Sequence, residues 1–170
     1  MIRPLLTTAI LFAAANAAQA QTASATMADA AGKEVGKATL TQTPAGVLLR
    51  VEARGIAAGE HAFHIHQTGR CDGADGFKSA GGHFALDHQH GFHVEGGPHP
   101  GDMPNVIVRE DGVFAVEVLN PMVSLQPDGR GYLLDEDGSA LVIHAAADDY
   151  RSQPAGDAGD RIACGVIGAD

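Results

Sequence analysis

Apolar and polar residues alternate in short runs along most of the chain, and clusters of Gly, Pro, Asp and Asn separate these runs. Alternation with a period of two is typical of a strand that buries one face, and no long helical period follows residue 20. The pattern predicts eight strands, at residues 24–30, 35–43, 47–53, 60–66, 105–109, 113–119, 141–144 and 161–167.

Two connections between these strands are much longer than a hairpin loop. They span residues 67–104 and 145–160, whereas the tripeptide at 110–112 predicts a tight turn that joins the fifth and sixth strands as a hairpin. The pattern predicts an all-β fold, an eight-stranded antiparallel Greek-key sandwich or flattened barrel with two long functional loops. Such loops are usually functional or disordered, and the histidines in the first one favour function.

The first twenty residues have the pattern of a secretory signal peptide. Arg3 supplies a positive charge, residues 5–15 are apolar, and Ala18-Gln19-Ala20 is a small-residue cleavage site. The apolar run is too short for a transmembrane helix, and a frayed apolar N-terminus of a cytosolic protein is the alternative. We therefore expect a signal peptide at 1–20, one exported domain at 21–170, a periplasmic location and no membrane insertion after signal cleavage.

Charge and cysteine content narrow the partners and the compartment. The chain has 11 Lys and Arg against 21 Asp and Glu, a net charge of −10, which argues against nucleic acid and anionic membranes as partners. Cys71 and Cys164 of an exported chain favour one disulfide, which would tether the first long loop to the last strand. Two free thiols or a thiolate metal site are the alternatives.

Histidines are concentrated in one stretch of the chain. Eight of the nine lie at residues 61–102, and the ninth is His144. Imidazole nitrogens together with a carboxylate are ligands that suit zinc and copper. The sequence therefore predicts a two-metal site, with a solvent-exposed histidine-rich loop that buffers metal as the alternative.

The spacing of these residues favours a built metal site. His64 and His66 are two residues apart on a predicted strand, so both side chains project from one face, roughly 7 Å apart. His99 and Asp102 flank a glycine turn and are close enough to chelate one ion. Taken alone, His64 and His66 could also be a histidine pair packed in the core.

Several motifs together give the chain a specific resemblance. They are FHIH at 63–66, SAGGHF at 79–84, GPHPGD at 97–102, HAAADD at 144–149 and RIACGVIG at 161–168. Over nearly all of residues 23–168 the sequence resembles the copper/zinc superoxide dismutase family. The resemblance implies dismutation of superoxide to oxygen and hydrogen peroxide, with copper and zinc ions as cofactors.

The resemblance also implies a role for each matching residue. In the implied reaction His83 bridges copper and zinc and accepts a proton when its bond to copper opens, while Arg161 positions the superoxide anion. Asp148 links a copper ligand to a zinc ligand, here His64 and His90. The implied copper ligands are His64, His66, His83 and His144, the implied zinc ligands are His83, His90, His99 and Asp102, and the implied disulfide joins Cys71 and Cys164.

The zinc ligand at position 90 is chosen among three crowded histidines. His90 is preferred over His88 and His93 because Gly91 follows it and the next implied ligand, His99, comes nine positions later. His88 and His93 are then solvated loop residues or weak additional metal contacts. His61, which precedes the copper pair, is expected to be structural.

The negative charge of the chain bears on how the substrate arrives. It should repel superoxide at long range, so we expect modest steering that rests on Arg161 and copper, with help from Lys78. The alternative function is a non-catalytic periplasmic copper/zinc binding protein, which would need neither Arg161 nor Asp148. A copper-only variant is a third hypothesis, and the filled zinc positions argue against it. The sequence leaves open whether the protein is a monomer or a homodimer.

Overall fold

The computed structural model describes residues 21–170, so the predicted signal peptide at 1–20 lies outside the described residues. Among those that are described, no helix is long and apolar enough to span a membrane. The described part of the chain has two single-turn 3-10 helices, Gly73–Asp75 and Lys78–Ala80. Its nine strands are β1 (Thr22–Asp29), β2 (Glu34–Thr43), β3 (Gly46–Arg54), β4 (Gly59–His61), β5 (Phe63–His66), β6 (Val106–Val108), β7 (Val113–Asn120), β8 (Ser139–His144) and β9 (Arg161–Ala169).

Seven strands form one antiparallel sheet in the order β5-β8-β9-β1-β2-β3-β7, and β4 and β6 form a separate antiparallel pair. Phe63 on one edge strand and Phe114 on the other belong to the same buried cluster, together with Leu40 and Leu49 from the centre of the sheet. The sheet therefore curls until its two edges share one core. The predicted all-β antiparallel architecture is confirmed.

Two details of the predicted strands are wrong. The run predicted at 60–66 is two strands that change partner at Ala62, because β4 pairs with β6 whereas β5 pairs with β8. The turn before β7 forms, since Gly112 N–H donates to Arg109 O at 2.8 Å, but β6 and β7 join different sheets rather than a hairpin. Alternation reveals which face of a strand is buried and not which strand lies beside it.

The disulfide ties the first long loop to the sheet. Cys71 and Cys164, which are 93 positions apart in sequence, are bonded as predicted. Phe77 and Ala80 from the same loop pack with Val142 of β8 in a small buried cluster that includes Cys164. The loop is therefore anchored both covalently and by packing next to the strands that carry the predicted ligands.

Candidate metal centre

Strands β5 and β8 place three histidines on one side of the sheet edge. Phe63 and Ile65 of β5 point into the core, so His64 and His66 point to the opposite face, and both are fully buried. His144 is the last residue of β8, where the register with β9 shifts and turns its side chain toward the same place. The Nε2 atoms of His66 and His144 are 3.4 Å apart.

The first long loop completes the free edge of β5. Ile65 N–H donates to Gly101 O at 2.9 Å, and Phe84 N–H donates to Ile65 O at 2.8 Å. These bonds set two isolated bridges, which pair His64 with Asp102 and His66 with His83. Backbone pairing therefore brings the loop histidine and the loop carboxylate beside the strand histidines.

Two groups of four potential ligands result, and they share one histidine. In each group one ligand atom per residue lies within 4.8 Å of the others, and all the members are buried. The His64 Nδ1 and His83 Nε2 atoms have no hydrogen-bond partner within the described residues, as expected of buried nitrogens kept for a metal. The groups are His64, His66, His83 and His144, and His83, His90, His99 and Asp102.

In the first group the second ring nitrogen of each strand histidine is held by an oxygen. His66 Nδ1–H donates to Gly81 O at 3.0 Å, and His64 Nε2–H donates to Asp148 Oδ2 at 2.9 Å. His144 Nδ1 lies 3.5 Å from Gly159 O. These contacts fix the tautomers of the three rings. As a result, His64 Nδ1, His66 Nε2 and His144 Nε2 face the space that the three rings enclose.

The second group converges on one carboxylate oxygen. Asp102 Oδ1 lies 3.0, 3.1 and 3.4 Å from the Nδ1 atoms of His83, His90 and His99. Its other oxygen accepts hydrogen bonds from Gly91 N–H and His99 N–H at 2.9 and 3.0 Å. Three imidazoles and one carboxylate that meet at a point make the tetrahedral donor set that zinc takes.

Asp148 connects the two groups. One of its oxygens lies 2.9 Å from His64 Nε2 and the other lies 3.0 Å from His90 Nε2. Gly156 makes room for this contact, because a Cβ there would overlap Asp148 Oδ1 and crowd His90. The requirement for glycine at 156 was not predicted from the sequence, where the only signal was its place in a Gly-rich acidic run.

Comparison with known proteins agrees with this arrangement. The sequence profile described as copper/zinc superoxide dismutase matches residues 34–167. The chain belongs to the copper/zinc superoxide dismutase family. It is 51% identical to copper–zinc superoxide dismutase 1 of Aquifex aeolicus over 138 residues, which cover 80% of this chain and 81% of that one. The corresponding enzyme of Caulobacter vibrioides is 46% identical over 80% of this chain and 79% of its own.

Solved structures show the same likeness. The crystal structure of a superoxide dismutase-like protein from Bacillus subtilis has a TM-score of 0.80 and 37% sequence identity, and the match covers 84% of this chain and 96% of that one. The copper/zinc superoxide dismutase from Brucella abortus has a TM-score of 0.68 and 28% identity. The family implies copper and zinc, and the two groups of nitrogen and oxygen donors fit these two ions.

Three histidines of the first group are held neutral. Burial lowers the pKa of His66 to about 2, with a further contribution from the charge of His83. Burial also lowers the pKa of His144 to about 3 and, against the pull of Asp102, that of His83 to about 4. A metal ion therefore does not compete with protons for these nitrogens at neutral pH.

His90 of the second group and the two carboxylates that it contacts have the opposite electrostatics before metal binds. Burial lowers the pKa of His90, but hydrogen bonds to Asp102 and Asp148 outweigh it and raise the value to about 9. Burial raises the pKa of both carboxyls, and their bonds to histidine rings hold the pKa well below its usual range. Without metal, His90 and these two carboxylates therefore form a charged cluster.

Arg161, the first residue of β9, faces a cavity of about 280 Å³ that His83 and His144 of the first group also line. Its Nη1–H donates to Phe77 O and its Nη2–H donates to Gly81 O, both at 2.7 Å. Burial lowers the pKa of Arg161 from its usual range, but a guanidinium stays charged in proteins. Lys78 does not line this cavity, whereas Asp157 does.

The remaining histidines lie outside both groups. His88 Nε2 is 3.4 Å from an Arg130 nitrogen, and the ring of the exposed His93 packs edge-on against Tyr150. His61 Nδ1 lies 2.7 Å from His144 O and its Nε2 lies 2.9 Å from Ala57 O, so its ring joins two backbone segments.

Gly91 provides a physical reason for preferring His90 over His88 and His93 as a ligand. A Cβ at 91, where φ is +102°, would overlap the Tyr150 carbonyl. Only glycine therefore lets the loop bring His90 this close to the segment that carries Asp148.

Proposed function

We propose that this protein dismutates superoxide at a copper site that His83 bridges to a zinc site. Two superoxide anions and two protons yield one molecule of oxygen and one of hydrogen peroxide. The observation that carries the proposal is that His83 belongs to both buried ligand groups and also lines the cavity that Arg161 faces. Family membership supports the same reaction.

Each residue has a proposed role that follows from its position. The donor sets and the free nitrogens support copper on the strand side and zinc on the loop side. Asp148 is proposed to orient one ligand of each ion. The proposed copper ligands are His64, His66, His83 and His144, and the proposed zinc ligands are His83, His90, His99 and Asp102.

The side chains around the cavity supply substrate binding and a proton. Copper, when bound, supplies the one-electron oxidation and reduction, for which zinc has no second oxidation state. Arg161 attracts the anion and orients it with the N–H groups that Phe77 and Gly81 do not occupy. His83 Nε2, which has no partner within the described residues, can hold a proton and give it to the reduced oxygen species.

A non-catalytic copper and zinc binding protein is less well supported. Storage needs neither a guanidinium fixed beside the copper side nor a carboxylate that joins both sides. Within residues 21–170 the groups of three or more clustered ligands are the two already described, and His88 and His93 belong to neither. The extra histidines therefore do not build the additional sites that a storage protein would use.

We also propose that residues 1–20 are a signal peptide and that residues 21–170 act in the periplasm. The support is the charge, apolar run and small residues of the N-terminal segment, together with the disulfide between Cys71 and Cys164. Disulfides persist in oxidising compartments and are rare in the cytosol. Edman sequencing of the secreted chain should begin at Gln21, and a mature chain that begins at Met1 would contradict the proposal.

The function is tested by stopped-flow measurement of superoxide decay. Residues 21–170 loaded with copper and zinc should consume superoxide catalytically, whereas the metal-free chain should not. The matched control is the His64→Ala chain treated with the same metals. No catalysis by the parent at full copper occupancy would refute the dismutase proposal in favour of metal binding alone.

A further inference from the structure

Two carboxamide side chains join the loops that carry the zinc side. Asn105 ends the loop that follows β5, and its side chain contacts the backbone of Asp148 on the other long loop. Its Oδ1 accepts a hydrogen bond from Asp148 N–H, and its Nδ2–H donates to Asp148 O, both at 2.9 Å. Asn105 N–H also donates to the Tyr150 hydroxyl at 2.7 Å.

Gln153 makes the same contact in the opposite direction. It lies on the second loop, and its Oε1 accepts a hydrogen bond from His90 N–H at 3.1 Å while its Nε2–H donates to His90 O at 2.8 Å. Each loop therefore gives one amide to the backbone of the other loop. The two clamped residues are those whose side chains meet, since Asp148 Oδ1 lies 3.0 Å from His90 Nε2.

No other group of the described residues shares the hydrogen bonds that these two amides make. Within the described residues the N–H and C=O groups of Asp148 and His90 have hydrogen bonds to these two side chains and to no other group. Both clamped residues are buried, so each lost amide would leave a donor and an acceptor without partners. Because each amide bonds both the N–H and the C=O of one residue, it fixes the position and the orientation of that residue's backbone.

We propose that Asn105 and Gln153 form a reciprocal amide clamp that fixes the contact between Asp148 and His90 and so preorganises the zinc ligands. They are positioning residues, since neither side chain belongs to a ligand group. This inference rests on the proposed zinc site. Removal of a group that orients a metal ligand typically lowers metal affinity by about 10- to 100-fold. The clamp residues bond the backbones of His90 and Asp148, so they act on the ligand less directly than such a group does.

The test compares zinc release from the copper- and zinc-loaded chain in three variants. Gln153→Met and Asn105→Leu remove the amides with little change in size. Gln42→Met is the matched control, because Gln42 also makes a two-sided amide contact, accepting from Leu125 N–H at 2.7 Å and donating to Thr43 O at 3.0 Å, away from both long loops. Zinc transfer to a colorimetric chelator gives the rate, and hydrogen exchange follows the His90 and Asp148 amides.

Gln153→Met and Asn105→Leu should each release zinc about tenfold faster, and Gln42→Met less than about twofold faster. The double variant should release zinc more slowly than the product of the two single effects predicts, because both clamps serve one contact. The His90 amide should exchange faster in Gln153→Met, while the amides of β2 and β3 should not. Gln153→Glu keeps the acceptor and loses the donor, so its rate should lie between those of the parent and Gln153→Met.

Two outcomes would overturn the clamp: unchanged zinc release in Gln153→Met, or an equal acceleration in the Gln42→Met control. If a variant folds poorly, the partial effect of Gln153→Glu against the same control decides the question. A parent chain that holds zinc but consumes no superoxide would refute the proposed function and leave the clamp comparison readable.

Discussion

The proposed copper side, carried mainly by β5 and β8, and the proposed zinc side, carried by the first long loop, are built in different ways. His64, His66 and His144 stand on strands, and the ladder of β5 and β8 fixes their spacing. His90 and His99 stand on a part of the first long loop that lies outside any helix or strand, and a carboxylate, a disulfide and amide contacts hold that loop in place. The strand ladder therefore positions the ligands of the copper side, whereas hydrogen bonds and a disulfide position those of the zinc side.

Electrostatics separates the two sides in the same way. Burial keeps the copper-side histidines neutral, so that they are ready for a cation without losing a proton. On the zinc side His90 carries a proton at neutral pH in the absence of metal, since its raised pKa is about 9. Zinc must therefore displace the proton of His90, whereas copper displaces no proton from its ligands. Zinc binding should consequently depend more steeply on pH than copper binding does.

Removal of a strand ligand should break the copper side alone. His64→Ala should lose copper and lower superoxide consumption by at least about a thousandfold, to the background of the metal-free chain, while zinc stays bound. Metal analysis and stopped flow measure the two results. His88→Ala is the control, because His88 lies outside both ligand groups. Full copper occupancy in His64→Ala would mean that the strand group is not the copper site.

Removal of the loop carboxylate should break the zinc side and largely spare the copper side. Asp102 contacts three zinc-side histidines and two backbone N–H groups, so Asp102→Ala should weaken zinc binding by more than about a hundredfold. Copper should remain, because three of its four proposed ligands stand on β5 and β8, which are unchanged. Isothermal titration with each metal measures both, with the exposed Asp128→Ala as control. Equal loss of both metals would contradict the separation of the two sides.

The same division explains what the sequence could predict. The faces of His64 and His66 follow from alternation along a strand, and the short motifs that carry the family resemblance predicted the other members of the two groups. The amide contacts of Asn105 and Gln153 were not predicted, because they join residues 43 and 63 positions apart through loops with no periodicity. The change of partner at Ala62 was missed for a related reason, since pairing is a property of the whole sheet.

Substitution of the cavity arginine tests the substrate path without touching either metal. Arg161→Ala should keep both metals and lower kcat/KM by about 10- to 100-fold, because the fixed positive charge beside the cavity is lost. Arg161→Lys should recover part of the loss, since it restores the charge without the planar fork. Azide affinity of the copper-loaded chain should fall in parallel. Unchanged kcat/KM in Arg161→Ala would remove this residue from the reaction.

The pKa shifts predict a stability maximum near pH 6.5 for the metal-free chain. His66, His83 and His144 have lowered values, so their contribution is present above the unfolded pKa of 6.5 and is lost as pH falls toward 4 and below. Each adds a slope of up to about 1.4 kcal/mol per pH unit. His90 has the opposite sign, and its contribution is lost as pH rises through about 9.

Urea unfolding from pH 4.5 to 9.5 measures both limbs of this curve. Zinc should abolish the alkaline limb, because a bound ion replaces the proton of His90. A metal-free chain that is as stable at pH 4.5 as at pH 6.5 would show that burial does not hold the copper-side histidines neutral.

The smallest expected effect concerns a carboxylate that neither side uses. Asp157 is exposed and lines the cavity that Arg161 faces, so its charge opposes the entry of an anion. Asp157→Asn should raise kcat/KM about two- to threefold at low ionic strength, and the gain should vanish near 0.5 M salt because screening shortens the reach of an exposed charge. Asp128→Asn, which removes an exposed charge elsewhere, should change nothing. A gain that persists at high salt would point to a change in cavity shape, and steering would then rest on Arg161 alone.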